Sequence, residues 1–325
     1  MTFALSTNWN NRRLATGEAI VEEALELGFG ALELGFHTSA EQVKGFKARL
    51  DEMPVGSIHA FCPVPLSAPC GHPELYQLAS FDDAARALAR VHVRKNVAFA
   101  AEMGAGAVVL HAGRVPCRTL FRRNRMKKRT RLGRRLVDVF RRELDALVPV
   151  LEANKVTLGL ENLPYLEGFP NEAELQSLVG DWVRPWLDTG HAYVREVNGW
   201  TAHSPADSTI RLFDRSSSDS IIRSFAHSSS DSIIRSFDHS IISSSPLGLH
   251  VNDSCGGDDH LPPGEGKIDF AALAPIARAA RHLVLEPHAG VTPEALKRGL
   301  EFLKAVWAIC PSGRQPASPQ PVARL

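Results

Sequence analysis

The sequence lacks the features of disulfide-rich, membrane-spanning and strongly charged proteins. Its five cysteines are odd in number and show no CxxC spacing, which argues against a disulfide framework and favours a reducing cytoplasm. No apolar run at the start has signal-peptide length, and no later run is long enough to cross a membrane. The formal net charge is only +1, so no whole-protein field attracts nucleic acid or acidic partners. We therefore expect a cytoplasmic protein with no membrane partner.

The small net charge hides one strongly basic segment. Residues 114–142 contain eleven Arg and two Lys against one Asp, a local charge of +12. Because the whole chain carries +1, the remainder carries −11. Such a segment is either a solvated helix face or a surface that binds phosphate groups.

Short apolar runs alternate with segments of helical spacing about eight times along the chain. Each run has a polar or ionisable residue at or near its end, and the runs are residues 3–8, 31–35, 55–60, 107–113, 156–162, 184–191, 247–253 and 282–288. This alternation is typical of an α/β fold, a single-domain (β/α)8 TIM barrel, here over residues 1–310. A doubly wound open sheet is the alternative. It would carry a glycine-rich phosphate turn after its first strand, and STNWNNRR is not such a turn.

A low-complexity insertion interrupts the pattern between the sixth and seventh strands. The motif D-S-x-I-R-x-F occurs three times, starting at Asp207, Asp219 and Asp231. A spacing of twelve residues rotates successive copies by about 120° on a helix, so their apolar stripe does not stay on one face. We expect at most one copy to pack as a helix, the rest of residues 207–245 to form a mobile loop, and residues 311–325 to be disordered.

Imidazoles and carboxylates gather at the predicted carboxyl ends of the last six strands. In a TIM barrel these ends and the loops that follow them form the functional rim. Imidazole and carboxylate donors together suit Zn, Mn, Fe, Co or Mg, and buried carboxylates require a cation. The sequence therefore predicts a metal site at this rim, with nine candidate residues: His59, His111, Glu161, Asp188, His191, His250, Asp258, His260 and Glu286. Six other histidines, His37, His72, His92, His203 and the repeat histidines His227 and His239, are expected to be ordinary polar residues.

Several motifs at these positions resemble the xylose-isomerase-like TIM barrel superfamily. They are VVLHAG, LEN, LDTGHA, LHVNDSCGGDDHLPPGEGKIDF and LEP, and the resemblance runs from about Phe3 to Trp307 apart from the insertion. The superfamily contains sugar and sugar-phosphate isomerases and epimerases, and also endonuclease IV-type apurinic endonucleases. The resemblance implies that the loop after strand seven brings Asp258 and His260 to the metal, with Gly264 and Gly266 allowing its tight turn.

The two branches of the superfamily imply different uses of these residues. In the epimerase branch, Glu161, Asp188, His250 and Glu286 would hold one divalent ion. In the endonuclease branch, all nine positions would hold three zinc ions. The resemblance thus implies a divalent metal cofactor (Zn, Mn, Co or Mg) in one to three copies.

We favour a sugar or sugar-phosphate isomerase or epimerase that works through a metal-stabilised enediolate. Glu161 and Glu286 would remove and return the proton, and His59, His111 and His191 would contact the substrate. Metal-dependent hydrolysis of abasic DNA is the alternative, and the basic segment would then bind phosphates. The loops FHTSAEQ and FCPVPLSAPCG lack the tyrosine- and arginine-bearing pattern of those nucleases. A barrel that binds a sugar without catalysis, and a homo-oligomer, also remain open.

Overall fold

Eight parallel strands close into a barrel in the computed structural model, which describes residues 1–68, 70–117, 122–200, 246–257 and 260–309. Each strand pairs with its neighbours in chain order, and the last strand pairs with the first. The strands are β1 (Ala4–Ser6), β2 (Ala31–Leu34), β3 (Val55–His59), β4 (Ala107–Leu110), β5 (Thr157–Glu161), β6 (Val183–Asp188), β7 (Gly248–Val251) and β8 (His282–Leu285). The TIM barrel predicted from the sequence is therefore confirmed.

Helices follow the strands and cover the outside of the barrel. They are α1 (Gly17–Leu27), α2 (Ala40–Ala48), α3 (Asp83–Glu102), α4 (Arg122–Asn154), α5 (Glu172–Gln176), α6 (Thr189–Val197), α7 (Ala274–Ala279) and α8 (Pro293–Ile309). Polar side chains fix where several of them begin: Ser39 and Asn171 form capping boxes, and Asp82 accepts from two backbone amides of α3. A short antiparallel ribbon joins Gly113–Arg114 to Gly168–Phe169 on the rim.

Trp186 is the largest side chain of the small apolar cluster inside the barrel, below the functional rim. Trp186 on β6 is fully buried, and a Cβ atom at Gly248 on β7 would lie 2.5 Å from its ring. A Cβ atom at Gly159 on β5 would lie 2.9 Å from the same ring. The two glycines therefore leave room for the indole, which contacts the ring of His250 edge-on at 5.3 Å. Trp186 thus packs beneath His250 in the barrel interior.

Two boundaries differ from the sequence prediction for a physical reason. Strand β6 ends at Asp188, and the next residue begins α6, so His191 lies in the first turn of a helix. Asp188 ends the strand because its carboxylate accepts from the backbone N–H of His191 at 2.7 Å and caps the helix. Strand β4 ends at Leu110, one residue before His111.

The insertion 207–245 and the tail 311–325 lie outside the described residues, so the predictions for both remain open. The same holds for Asp258 and for the insertion histidines. Within the described ranges, the fourth crossover is long, because α4 has 33 residues. No helix in that part of the chain combines the length and apolar character that a membrane crossing needs.

Candidate metal centre

Glu161 at the end of β5 is the hub of the rim. Its Oε2 lies 3.2 Å from His59 Nε2 and 3.1 Å from His111 Nε2. Its Oε1 lies 3.2 Å from His250 Nδ1. All four side chains are buried or nearly so. One carboxylate therefore contacts imidazoles from β3, from the residue after β4, and from β7.

Glu286 and Asp188 approach the same space from β8 and β6. Glu286 Oε2 lies 3.1 Å from His250 Nδ1, the nitrogen that also contacts Glu161. Asp188 lies opposite His250 in the β6–β7 register, and its Oδ2 accepts from Asn252 Nδ2 at 2.7 Å. One donor atom from each of Glu161, Asp188, His250 and Glu286 falls within 4.8 Å of the others.

Four of the five rim histidines have one ring nitrogen held by an acceptor. His59 Nδ1 contacts Ala60 O at 3.0 Å, His191 Nδ1 contacts Asn162 O at 2.8 Å, and His260 Nδ1 contacts Glu286 O at 2.9 Å. His250 Nε2 contacts the carboxylate of Glu33 at 3.0 Å. An acceptor at one nitrogen fixes the N–H there and leaves the opposite lone pair for a ligand. The imidazoles are thus oriented as metal-binding histidines are.

The donors form overlapping groups that fit divalent metal ions. Besides the four-residue group, three triads have donor atoms within 4.8 Å of one another: His59, His111 and Glu161; Asp188, His191 and His260; and His59, His250 and Glu286. Buried carboxylates and imidazoles in such groups are the ligands that Zn and similar ions prefer. Of the nine predicted candidates, eight therefore meet at one rim, and Asp258 lies outside the described residues.

The pKa values of Glu161 and His250 are shifted in opposite directions, each toward the charged form of its side chain. Burial alone would raise the pKa of Glu161, but His250 and His111 hold that pKa well below its ordinary value. Burial would lower the pKa of His250, yet Glu286, Glu33 and Glu161 together raise it well above the ordinary value. Burial lowers the pKa of His111, only partly opposed by Glu161. The centre therefore stabilises a proton at His250, in the space where a cation would bind the same carboxylates.

Sequence reasoning missed Glu33, whose carboxylate contacts His250 on the side away from Glu161 and Glu286. Glu33 on β2 is fully buried, contacts His250 Nε2, and accepts from Ser57 Oγ on β3 at 2.8 Å. The β2–β3 register places Glu33 beside Ser57. The available signal was a single carboxylate inside the apolar run ALELG, which a buried parallel strand contains only when that charge has a partner.

Asp253 organises the loop that follows β7. Its Oδ1 accepts from Ser254 N at 2.8 Å and Ile268 N at 3.0 Å, and its Oδ2 accepts from Gly264 N and Gly266 N, both at 2.9 Å. Gly264 has a φ of +92°, and a Cβ atom at Gly266 would collide with the Asp253 carboxylate. The two glycines make the tight turn that the sequence predicts, and the turn brings His260 to the rim.

Part of the basic segment is committed to structural contacts. Arg129 is buried and pairs with Glu174, and Arg125 pairs with Glu167. Arg114 pairs with Glu74 at 2.6 Å and lies 4.1 Å above the ring of Tyr165. The exposed cations of α4 for which side chains are described are Lys127, Arg131, Arg134, Arg135, Arg141 and Arg142.

A family model described as xylose isomerase-like TIM barrel matches residues 21–306. The chain belongs to this family. The resemblance stated from the sequence motifs is therefore confirmed. No curated protein matches the chain.

Solved structures share the fold of the family at low sequence identity. A D-tagatose 3-epimerase-like protein is 19% identical with a TM-score of 0.63, covering 95% of this chain and 98% of its own. A putative xylose isomerase from Rhodospirillum rubrum is 13% identical with a TM-score of 0.63, covering 96% and 100%. A Thermus thermophilus protein soaked with ZnCl2 is 21% identical with a TM-score of 0.57, covering 97% and 99%. At these identities the similarity shows a common fold.

Proposed function

We propose that the protein is a divalent-metal-dependent isomerase or epimerase of a sugar or sugar phosphate. The observation that carries the proposal is the pair of carboxylates around His250 Nδ1, Glu161 at 3.2 Å from β5 and Glu286 at 3.1 Å from β8. Two carboxylates on separate strands that face one space suit removal and return of a proton. A D-tagatose 3-epimerase-like protein and an L-ribulose 3-epimerase among the structurally similar proteins support the same reaction class.

Each rim residue has a distinct role in this proposal. Glu161 and Glu286 transfer the proton, while Asp188 and His250 complete the donor set that holds the ion. His191, fixed through Asn162 O, contacts a substrate hydroxyl, and His59 and His111 contact the substrate or a further ion. A bound Zn, Mn, Co or Mg ion would acidify a C–H beside a chelated carbonyl and offset the charge of the enediolate. Trp186, which is fully buried in the barrel interior, packs its ring edge-on against that of His250.

A second candidate function is metal-dependent hydrolysis of a phosphodiester in abasic DNA. The observation that favours it is the presence of three donor triads beside the four-residue group, which a centre with more than one ion would need. A sugar epimerase needs only one ion. The exposed cations of α4 would supply the phosphate contacts of this function.

One set of measurements separates these functions. Metal content of the purified protein is measured, and the loaded protein is assayed on ketoses, ketose phosphates and an abasic-site duplex. The proposal predicts sugar turnover that Glu161→Gln abolishes without unfolding the protein, because this change removes a charge at nearly constant volume. Duplex cleavage with no sugar turnover would establish the second candidate, and sugar binding without turnover would indicate a binding protein.

The metal assignment has its own test. The double variant Asp188→Ala/Glu286→Ala removes two of the four donors that converge within 4.8 Å. We expect it to lose bound metal, measured by elemental analysis after dialysis. Unchanged metal content in this variant would overturn the assignment of the centre.

A further inference from the structure

Three cationic or imidazole side chains lie together on the rim beside the metal centre. Arg12 follows β1, His37 follows β2 and His72 follows β3, so all three come from neighbouring loops on the functional face. Arg12 Nη2 lies 2.9 Å from His37 Nε2. A Cβ atom at Gly71 would lie 2.9 Å from His37 Nδ1, so the loop that carries His72 packs directly against His37.

The guanidinium of this cluster is not paired with a carboxylate. Within the described residues Arg12 has no carboxylate partner, whereas the adjacent Arg13 is paired with Glu23 at 2.8 Å. Burial, Arg12, His72 and His59 together lower the pKa of His37 to about 4. His72 Nδ1 accepts from Glu74 N at 3.0 Å, which leaves the N–H of its neutral ring on Nε2. The cluster therefore offers hydrogen-bond donors and a guanidinium that has no carboxylate partner among the described residues.

One side chain, that of Asn8, links the cluster to Glu286, the carboxylate to which the proposed function assigns proton transfer. Asn8 Nδ2 donates to Glu286 Oε1 at 3.1 Å, and Asn8 Oδ1 accepts from His37 N at 3.4 Å. The ring of Phe36 lies between the rings of His59 and His37, with centroid distances of 5.0 Å and 4.6 Å. A sugar bound at the metal centre and extended over Phe36 would bring its far end to Arg12.

We propose that Arg12, His37 and His72 form an anion-binding subsite for the phosphate monoester of a sugar-phosphate substrate. The inference rests on the proposed function, because it places the sugar at the metal centre. A guanidinium and imidazole N–H groups are the donors that bind phosphate oxygens with charge-assisted hydrogen bonds. Because Asn8 lies between these side chains and Glu286, a phosphate bound by them would lie apart from the carbon that loses its proton.

The test compares two arginine variants that change the net charge equally. Arg12→Gln removes the proposed phosphate donor, and Arg13→Gln removes its neighbour, which is paired with Glu23. Binding of inorganic phosphate to the metal-loaded protein is measured by calorimetry. We expect Arg12→Gln to weaken binding about tenfold and Arg13→Gln to leave it unchanged. His37→Gln provides a second variant with an expected effect in the same direction.

Kinetics separate this subsite from the proposed reaction. If the protein turns over sugars, Arg12→Gln should raise KM about tenfold more for a ketose phosphate than for the unphosphorylated ketose. Arg12-dependent phosphate binding in a protein that turns over no sugar would support the subsite and overturn the proposed function. Equal phosphate binding by the two arginine variants, or Arg12-dependent binding of a DNA duplex but not of inorganic phosphate, would overturn the subsite.

Discussion

His250 shows at the scale of one residue how the barrel tolerates several buried charges. Its two ring nitrogens contact three carboxylates, those of Glu33, Glu161 and Glu286, at 3.0 to 3.2 Å. Burying carboxylates without compensation is costly, so their proximity requires positive charge at His250 or in the space beside it. Glu33 holds the nitrogen that faces away from the other two carboxylates, and it therefore orients the imidazole.

Replacing Glu33 tests this orienting role. Glu33→Gln keeps the volume but removes the charge that holds His250 Nε2. We expect metal affinity to fall by about 10- to 100-fold, measured by calorimetric titration with Zn²⁺, while the fold is retained. The control is Glu41→Gln, because Glu41 is an exposed carboxylate paired with Lys44 on α2. Equal metal affinity in the two variants would show that Glu33 does not act on the centre.

His282 is the first residue of β8, at the end of the barrel opposite the rim, and it makes the stability of the protein depend on pH. Its ring stacks on Trp186 at 5.7 Å, and burial together with Arg281 lowers its pKa to about 4. Because this folded-state pKa lies below the unfolded value of about 6.5, the unfolded chain binds more protons between these pH values. The contribution of His282 is thus complete above pH 6.5 and is lost as the pH falls through about 4.

Chemical denaturation between pH 7 and pH 4 measures this contribution. The wild-type protein should lose about 1 to 3 kcal/mol more than His282→Gln over this range, the lower figures allowing for partial exposure of the ring. His288→Gln, an exposed histidine in the loop after β8, should follow the wild-type curve. Parallel curves for wild type and His282→Gln would contradict the argument.

The structure places at the rim those predicted residues that lie at or next to the end of a strand. Glu161, His250 and Glu286 were predicted at the rim because parallel strands deliver their carboxyl ends to one face. Glu33 was not predicted, because it lies inside a strand and its role depends on the inward pointing of a side chain from β2. Arg12 and His37 were not assigned to the site, because the approach of three loops cannot be read from spacing along the chain.

The loop after β7 shows at the scale of an element how one carboxylate positions another part of the site. Asp253 is buried and accepts from the backbone N–H groups of Ser254, Gly264, Gly266 and Ile268, which holds both ends of this loop at one carboxylate. His260 has a φ of +43°, an unusual value that the closed loop imposes. The position of this metal-binding candidate therefore depends on Asp253, which is itself absent from the donor groups.

Asp253→Asn tests the dependence of His260 on this loop. The amide retains one acceptor oxygen, so we expect a loss of about 2 to 4 kcal/mol in the free energy of unfolding and reduced metal content. Asp269→Asn is the control, since Asp269 is exposed and also accepts two backbone amides, those of Ala271 and Ala272. Equal destabilisation by the two changes, or unchanged metal content in Asp253→Asn, would contradict this account of the loop.

At the scale of the whole molecule, barrel closure brings distant residues together. Residues 59 and 286 share the space around His250 only because β8 pairs with β1. The alternation of apolar runs and helical segments was sufficient to predict this closure. The start of α6 at Thr189 was not predicted, because a capping aspartate at the end of a strand resembles a simple continuation of the polar run. The cytoplasmic location and a homo-oligomer stay predictions.

Proton transfer by Glu161 and Glu286 is the central claim, and deuterium incorporation tests it most directly. The metal-loaded protein is incubated in D2O with neutral and phosphorylated ketoses, and deuterium at the carbon beside the carbonyl is followed by NMR. We predict incorporation that requires bound metal and is lost in both Glu161→Gln and Glu286→Gln. Incorporation that persists in either variant or after chelation, or epimerised product without deuterium, would contradict the claim.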